Sequence, residues 1–185
     1  MEWSQSLRGY ILHPLLKILS KLGLTASHIT FLSLLAGLAF CPLFIWNDKL
    51  IAFALLLLHV LLDGLDGPLA RFQGTSSNRG SFTDTMVDQI VVTVTAITMI
   101  QAQHAGIWAG SLYIFFYAIV VVFAFVRNAL DSPYSWLFRP RFIVFGWFII
   151  DTYWWEGSLD WVLSIAASIL ALKALTGFFS IRKRI

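Results

Sequence analysis

Residues 63–88 of this chain read DGLDGPLARFQGTSSNRGSFTDTMVD, with four aspartates at the end of one apolar segment and the start of the next. Asp63 and Asp66 are three residues apart, so they share one face of a helix. Asp84 and Asp88 are four residues apart and share a face in the same way. Ionisable groups within apolar spans are costly and usually functional. If the two helices are neighbours, we expect both aspartate pairs to converge on one site.

The composition around this segment is that of a membrane protein. Of the 185 residues, 58% are hydrophobic and only 12% are charged, whereas soluble domains carry roughly 25% charged residues. A soluble fold of this size could not bury so much apolar surface. The single cysteine, Cys41, cannot form an internal disulfide. These numbers exclude a soluble enzyme, a disordered chain and a disulfide scaffold.

A bilayer span needs about 20 mostly apolar residues, and apolar segments near this length recur along the chain, although the one at residues 141–155 is short and aromatic. The sequence predicts an all-α, polytopic membrane protein with six transmembrane helices, at residues 29–46, 50–70, 82–103, 107–127, 141–155 and 159–180. Residues 29–185 would form one transmembrane domain. Residues 1–28 would form an N-terminal interfacial amphipathic helix and an approach segment. A helix packed on the bundle is an equally good interpretation of that N-terminal pattern.

The basic residues indicate the orientation in the membrane. With six spans, 12 of the 13 Lys and Arg residues fall on the side that carries both termini, and only Lys49 falls on the other. The positive-inside rule makes the basic side cytoplasmic. We therefore expect a multi-pass protein of the cell inner membrane, with both termini and the active site in the cytoplasm. The basic residues form no single patch, so nucleic acid is not an expected partner.

Four ionised carboxylates repel one another unless cations lie between them. Oxygen ligands suit Mg²⁺, Mn²⁺ or Ca²⁺, and two such ions about 4 Å apart form a clamp for phosphoryl chemistry. Gly67 and Ala70 share the face of Asp63 and leave space for a ligand. Gly80 precedes Asp84 by four residues and would do the same on the next helix. Arg71 supplies a positive charge for a phosphate.

The spacing D63-x2-D66-G67-x2-A70-R71-x8-G80-x3-D84-x3-D88 resembles the full signature of the CDP-alcohol phosphotransferase family. Residues 23–30, GLTASHIT, resemble the segment that precedes the first span in that family. The resemblance implies an integral membrane enzyme of phospholipid synthesis that uses two divalent cations, Mg²⁺ or Mn²⁺, and releases CMP. Members of the family are usually homodimers, so a homodimer is expected.

The resemblance also implies roles for single residues. Asp63, Asp66 and Asp84 would be metal ligands. Asp88 would be the general base, with a possible share in binding the second metal. The CDP donor would be bound by the remaining signature residues, which are Gly67, Ala70, Arg71 and Gly80.

Two substrate pairs fit the resemblance. CDP-diacylglycerol with a small polar alcohol is favoured over CDP-choline or CDP-ethanolamine with a diglyceride, because enzymes of the second kind are usually longer. Arg127, Arg139 and Arg141 could hold an anionic acceptor, such as a phosphorylated polyol, since arginine favours phosphate contacts. The same arginines could equally be charges that only set topology.

Two further hypotheses concern the spans themselves. A divalent-cation transporter could also use clustered aspartates, but here they gather at one membrane face, and Arg71 and Arg79 would oppose cations there. His59 lies four residues before Asp63, so it faces roughly the same side. A buried, hydrogen-bonded core histidine is the preferred interpretation of His59.

Overall fold

The computed structural model describes residues 2–132, 134 and 139–184, with side chains from residue 12 onward. The described part is helical and contains no strand, as predicted. Its seven helices are α1 (Glu2–Lys21), α2 (Ala26–Ile45), α3 (Lys49–Phe72), α4 (Asn78–Gln101), α5 (Ile107–Ala129), α6 (Arg141–Tyr153) and α7 (Leu159–Arg182). Each of the six predicted spans is a helix whose ends lie within a few residues of the prediction.

Local capping fixes where two of these helices begin. Thr25 Oγ1 accepts a hydrogen bond from the His28 backbone N–H, and the Thr25 N–H donates back to His28 Nδ1, which closes a capping box at the start of α2. Ser77 Oγ accepts from the Gly80 N–H at 3.1 Å and caps α4. Such caps satisfy backbone donors that the first helical turn leaves unpaired.

Helices α2 to α7 run alternately between two ends of a bundle. The aspartate cluster marks one end, which we call the site end. His104, just beyond α4, marks the other, which we call the far end. Helix α6 joins the two, because Arg141 contacts Asp63 at the site end and Asp151 contacts His104 at the far end.

Five of the described helices, namely α2, α3, α4, α5 and α7, are long and apolar enough to cross a membrane. Helix α6 has 13 residues, which is about 20 Å at a rise of 1.5 Å per residue. It is therefore shorter than the roughly 20 residues that a bilayer span needs. The predicted segment 141–155 is a helix, but the six-span count rests on α6 and stays a prediction.

Helix α2 occupies a central position, because it packs against both α3 and α4. A Cβ on Gly37 would lie 2.6 Å from Val91 Cγ2, so only glycine lets α2 and α4 approach this closely. On the other side, Phe40 of α2 meets Phe53 of α3 and Phe148 of α6, with ring centroids 6.1 Å apart in both pairs. This core holds the acidic ends of α3 and α4 beside each other.

Helix α1 packs on the site end of the bundle. Leu16 is buried with Ile29 and Leu69, and Gln73 Nε2 donates to the Leu24 carbonyl at 2.8 Å. The side chains of Trp3, Leu7, Tyr10 and Ile11, on which the amphipathic pattern rests, lie outside the described residues. The predicted location of α1 in the membrane interface stays a prediction.

Candidate active site

Three of the four aspartates meet at the site end. Asp63 of α3 and Asp84 and Asp88 of α4 each offer a carboxylate oxygen, and these oxygens lie within 4.8 Å of one another. Asp84 Oδ1 is buried and has no hydrogen-bond partner among the described residues. A converging set of carboxylate oxygens, one of them unsatisfied, fits a hard divalent cation such as Mg²⁺ or Mn²⁺.

Asp66 lies beside this set but has partners of its own. It is 5% exposed, its Oδ2 accepts from Thr30 Oγ1 at 2.7 Å, and its Oδ1 accepts from the Gly67 N–H at 2.6 Å. Asp66 is thus oriented by α2, and its predicted role as a metal ligand stays a prediction.

Arg141 lies inside the carboxylate cluster. Its side chain is 1% exposed, and Nη2 donates to Asp63 Oδ2 at 2.5 Å. Nη1 forms an ion pair with Asp88 Oδ1. The sequence grouped Arg141 with Arg127 and Arg139 as possible acceptor contacts, whereas the structure places it between two predicted metal ligands.

Arg139 has a different environment from Arg141. It lines a cleft of about 220 Å³ between α4, α5 and α7, and Asp88 forms part of the same wall. The other polar side chains of this cleft are those of Ser81, Thr85, Tyr117 and Asn128. An arginine and the predicted general base therefore face one cavity.

Arg127 is anchored to the loop that follows α5. Its Nε donates to the Ser132 carbonyl at 2.8 Å, and its guanidinium lies 4.2 Å from the centroid of the Tyr134 ring. Tyr134 in turn donates to the Lys173 carbonyl at 3.3 Å. Burial raises the pKa of the Tyr134 hydroxyl, although the Arg127 charge acts to lower it. The three predicted acceptor arginines thus have three separate environments.

The predicted donor-binding residues lie along the same ends of α3 and α4. A Cβ on Gly67 would lie 3.7 Å from Arg71 Nη1, so the guanidinium passes directly over this glycine. Arg71 and Gly80 are exposed and Ala70 is half-buried. Small residues beside an exposed arginine leave room for a phosphate group, but their role in binding CDP stays a prediction.

His59 is a buried core residue, which confirms the interpretation preferred from the sequence. It is 1% exposed, and its Nδ1 lies 2.8 Å from Ser33 Oγ.

The sequence did not identify Thr30 as the partner of Asp66, nor Tyr117 as part of the cleft. A signal existed for Ser81 and Thr85, which share a helical stripe with Asp88.

Curated relatives of the chain are enzymes and a membrane protein. The CDP-diacylglycerol–serine O-phosphatidyltransferase of Mycobacterium bovis is 32% identical over 113 residues, which are 60% of this chain and 40% of the relative. Inner membrane protein YnjF of Escherichia coli is 28% identical over 135 residues, 66% of this chain and 63% of the relative. The archaetidylinositol phosphate synthase of Aeropyrum pernix is 28% identical over 63% of this chain and 53% of the relative. The match therefore spans about 40% of the mycobacterial relative's length.

Two solved structures share the fold. Both are of the Mycobacterium tuberculosis phosphatidylinositol phosphate synthase PgsA1. The one with CDP-DAG bound has a TM-score of 0.79 at 18% identity, covering 93% of this chain and 94% of that chain. The complex with manganese and citrate has a TM-score of 0.76 at 19% identity, covering 91% and 87%.

The aspartate signature lies within a longer region of family similarity. The CDP-alcohol phosphatidyltransferase family matches residues 23–178, which include α2 to α6 and most of α7. The helical fold and the aspartate signature agree with this match, and the chain belongs to the CDP-alcohol phosphatidyltransferase family.

Proposed function

We propose that this protein is a metal-dependent phosphatidyltransferase of phospholipid synthesis, which transfers a phosphatidyl group from CDP-diacylglycerol to a small polar alcohol and releases CMP. The observation that carries the proposal is the meeting of Asp63, Asp84 and Asp88 within 4.8 Å at the end of two apolar helices. A site at the end of membrane helices suits a donor with a polar nucleotide and two acyl chains.

Two divalent cations would be held by Asp63, Asp84 and Asp88, with Asp66 as a fourth carboxylate. When bound, they would neutralise the diphosphate and polarise the phosphorus that carries the lipid. The manganese complex of the structural neighbour supports a divalent cation in this fold. Gly67, Ala70, Arg71 and Gly80 would line the site of the CDP group.

Asp88 is the proposed general base. It belongs to the carboxylate set and also lines the cleft with Arg139. An alcohol in that cleft would have its hydroxyl beside Asp88, which takes the proton as the alcohol oxygen forms a bond to phosphorus. The phosphorus–oxygen bond to CMP breaks in the same displacement, so CMP leaves with the electron pair of that bond.

The acceptor is proposed to carry an anionic group, most simply a phosphorylated polyol. Arg139 supports this assignment because it supplies a positive charge to the cleft, and arginine binds phosphate through paired hydrogen bonds. Serine is the principal competing acceptor, because a curated relative is named a serine O-phosphatidyltransferase. The names of that relative and of the donor-bound neighbour both favour CDP-diacylglycerol over CDP-choline or CDP-ethanolamine as donor.

An acceptor screen tests this function. Purified protein would receive labelled CDP-diacylglycerol, Mn²⁺ or Mg²⁺, and one alcohol from a panel of inositol-1-phosphate, glycerol-3-phosphate, inositol, serine, choline and ethanolamine. We expect CMP release and a labelled lipid product with a phosphorylated polyol, and none in EDTA. Turnover with choline or ethanolamine alone would reject the anionic acceptor, and turnover with serine alone would reject the phosphorylated polyol. Turnover in EDTA after exhaustive dialysis would reject the metal-dependent mechanism.

The same proposal includes six membrane crossings, both termini in the cytoplasm, and a homodimer. The passage of α6 between both ends of the bundle supports the sixth crossing. Cysteines introduced at Lys49 and at Arg79, in a Cys41→Ser background, would be labelled with an impermeant maleimide on intact cells. Labelling at position 79 but not at 49 would reverse the orientation.

A further inference from the structure

The position of Arg141 is not explained by the proposed reaction. The guanidinium comes from the first residue of α6, whereas its two carboxylate partners come from α3, with Asp63, and from α4, with Asp88. The three side chains are 1%, 7% and 10% exposed, respectively. One buried guanidinium therefore joins three helices at the point where the carboxylates meet.

The ion pairs use one oxygen of each carboxylate, namely Oδ2 of Asp63 and Oδ1 of Asp88. Neither ion pair uses the second oxygen of its carboxylate, and Asp84 Oδ1 has no hydrogen-bond partner in the described chain. Each carboxylate can therefore bind Arg141 with one oxygen and a metal with the other. This arrangement fixes the direction in which the second oxygen points.

Arg141 is itself held in place from two sides. Its guanidinium lies 4.7 Å from the centroid of the Phe142 ring. The other end of α6 is tied to the far end of the bundle, where Asp151 Oδ2 accepts from His104 Nδ1 at 2.8 Å. Because both ends of a short helix are attached, the guanidinium has a fixed place relative to α3 and α4.

We propose that Arg141 is a positioning residue for the metal site, which orients the carboxylates of Asp63 and Asp88 rather than contacting the acceptor. The inference rests on the proposed function, because it concerns the cations proposed there. Groups that hydrogen-bond to metal ligands orient them, and their loss typically lowers metal affinity by about 10- to 100-fold.

If Arg141 acted only through its charge, its substitution would change metal affinity in the opposite direction. The positioning role can therefore be tested against a purely electrostatic one. A positive charge beside a divalent cation repels it, so neutralising Arg141 would strengthen metal binding if only charge mattered. Lysine keeps the charge but is a single flexible donor that cannot span two carboxylates as a planar guanidinium does. Arg141→Lys therefore separates geometry from charge.

The experiment measures Mn²⁺ binding to the purified full chain in detergent by isothermal titration calorimetry and by electron paramagnetic resonance, without substrate. We expect Arg141→Lys to bind Mn²⁺ about 10-fold or more weakly than the wild type. Arg182→Lys is the matched control, because Arg182 is an exposed arginine at the end of α7; its Mn²⁺ affinity should equal that of the wild type. Arg141→Gln, which removes the charge, should also bind more weakly and is the second variant if the lysine variant does not fold.

Wild-type affinity in Arg141→Lys, or tighter Mn²⁺ binding in Arg141→Gln, would overturn the positioning role while leaving the proposed function intact. Failure of the proposed function has a separate signature. In that case the wild type would bind no Mn²⁺, or Asp84→Asn would bind it as well as the wild type does.

Discussion

The two ends of the bundle each contain a buried aspartate paired with a basic side chain. The two ends differ in whether all the carboxylate oxygens around that pair have partners. At the far end, Asp151 accepts from His104, from Ser158 and from the Leu159 N–H, so both of its oxygens have partners. At the site end, the guanidinium of Arg141 pairs with the carboxylates of Asp63 and Asp88, and Asp84 Oδ1 has no hydrogen-bond partner in the described chain.

This difference separates a structural pair from a binding site. A buried polar group without a partner costs about 1–3 kcal/mol, and a cation bound among the converging carboxylates would satisfy Asp84 Oδ1. The Asp151 network is complete and joins the loop after α4 to the start of α7. The carboxylates at the site end carry excess negative charge, which cations can neutralise.

The largest effect on activity is expected from removing a carboxylate of the aspartate cluster at the site end. Asp84→Ala should abolish phosphatidyl transfer and Mn²⁺ binding, because it removes the unsatisfied oxygen of the converging group. Asp63→Ala and Asp66→Ala should also abolish transfer. The measurement is CMP release from CDP-diacylglycerol together with calorimetry of Mn²⁺ binding.

Asp48→Ala is the matched control for these variants, because Asp48 is an exposed aspartate beside the far end whose side chain makes no capping hydrogen bond to α3. It should keep wild-type transfer. Substantial activity in Asp84→Ala would show that the site end is no more a metal site than the far end is.

A smaller effect is expected when only the basic oxygen is lost. Asp88→Asn keeps the size of the side chain, and turnover should fall by at least ~100-fold, the scale of general-base catalysis. Binding of CDP-diacylglycerol, measured separately by calorimetry, should be largely kept. Near-normal turnover would refute Asp88 as the base, whereas lost donor binding would mark it as mainly a metal ligand.

Arg139→Ala should act on one substrate only. Hydrogen bonds to charged groups contribute about 1.5–3 kcal/mol, so the KM for an anionic acceptor should rise roughly 10-fold or more while the KM for CDP-diacylglycerol stays unchanged. Arg182→Ala is the control, since Arg182 is an exposed arginine at the end of α7. An unchanged acceptor KM in Arg139→Ala would show that Arg139 does not bind the acceptor and would favour the alternative that its charge only sets topology.

The sequence was sufficient for what depends on local spacing. Apolar periodicity located the helices, and the spacing of the aspartate pairs placed Asp63, Asp84 and Asp88 on converging faces. It could not supply pairings between distant helices, because spacing fixes the face of a helix but not its neighbour. Arg141 and Asp63 are 78 residues apart in the chain, and Thr30 and Asp66 are 36 residues apart.

The far end was missed for the same reason. His104 and Asp151 are 47 residues apart, and nothing in the spacing of either residue indicates the other as its partner. Helix α6 ends at Tyr153, two residues after Asp151. The Asp151 carboxylate then accepts the Leu159 N–H at the start of α7 instead of facing solvent.

The smallest effect on catalysis is expected at the far end, where the effect on stability is large. Asp151→Ala leaves the Leu159 N–H without its carboxylate partner and removes the charge opposite His104. Breaking a buried pair in this way costs about 3 kcal/mol, so the detergent-solubilised variant should unfold at a clearly lower temperature. Asp151→Asn should lose less stability, because one carbonyl oxygen remains to accept the Leu159 N–H.

Transfer by the folded fraction of both Asp151 variants should stay near the wild-type rate, because Asp151 contacts no residue of the candidate site. Asp48→Ala again serves as the control and should change neither stability nor transfer. The two ends would then differ in kind, with catalysis lost at one and stability at the other. If Asp151→Ala instead weakened Mn²⁺ binding in folded protein, α6 would transmit a shift to Arg141, and the ends would be coupled rather than independent.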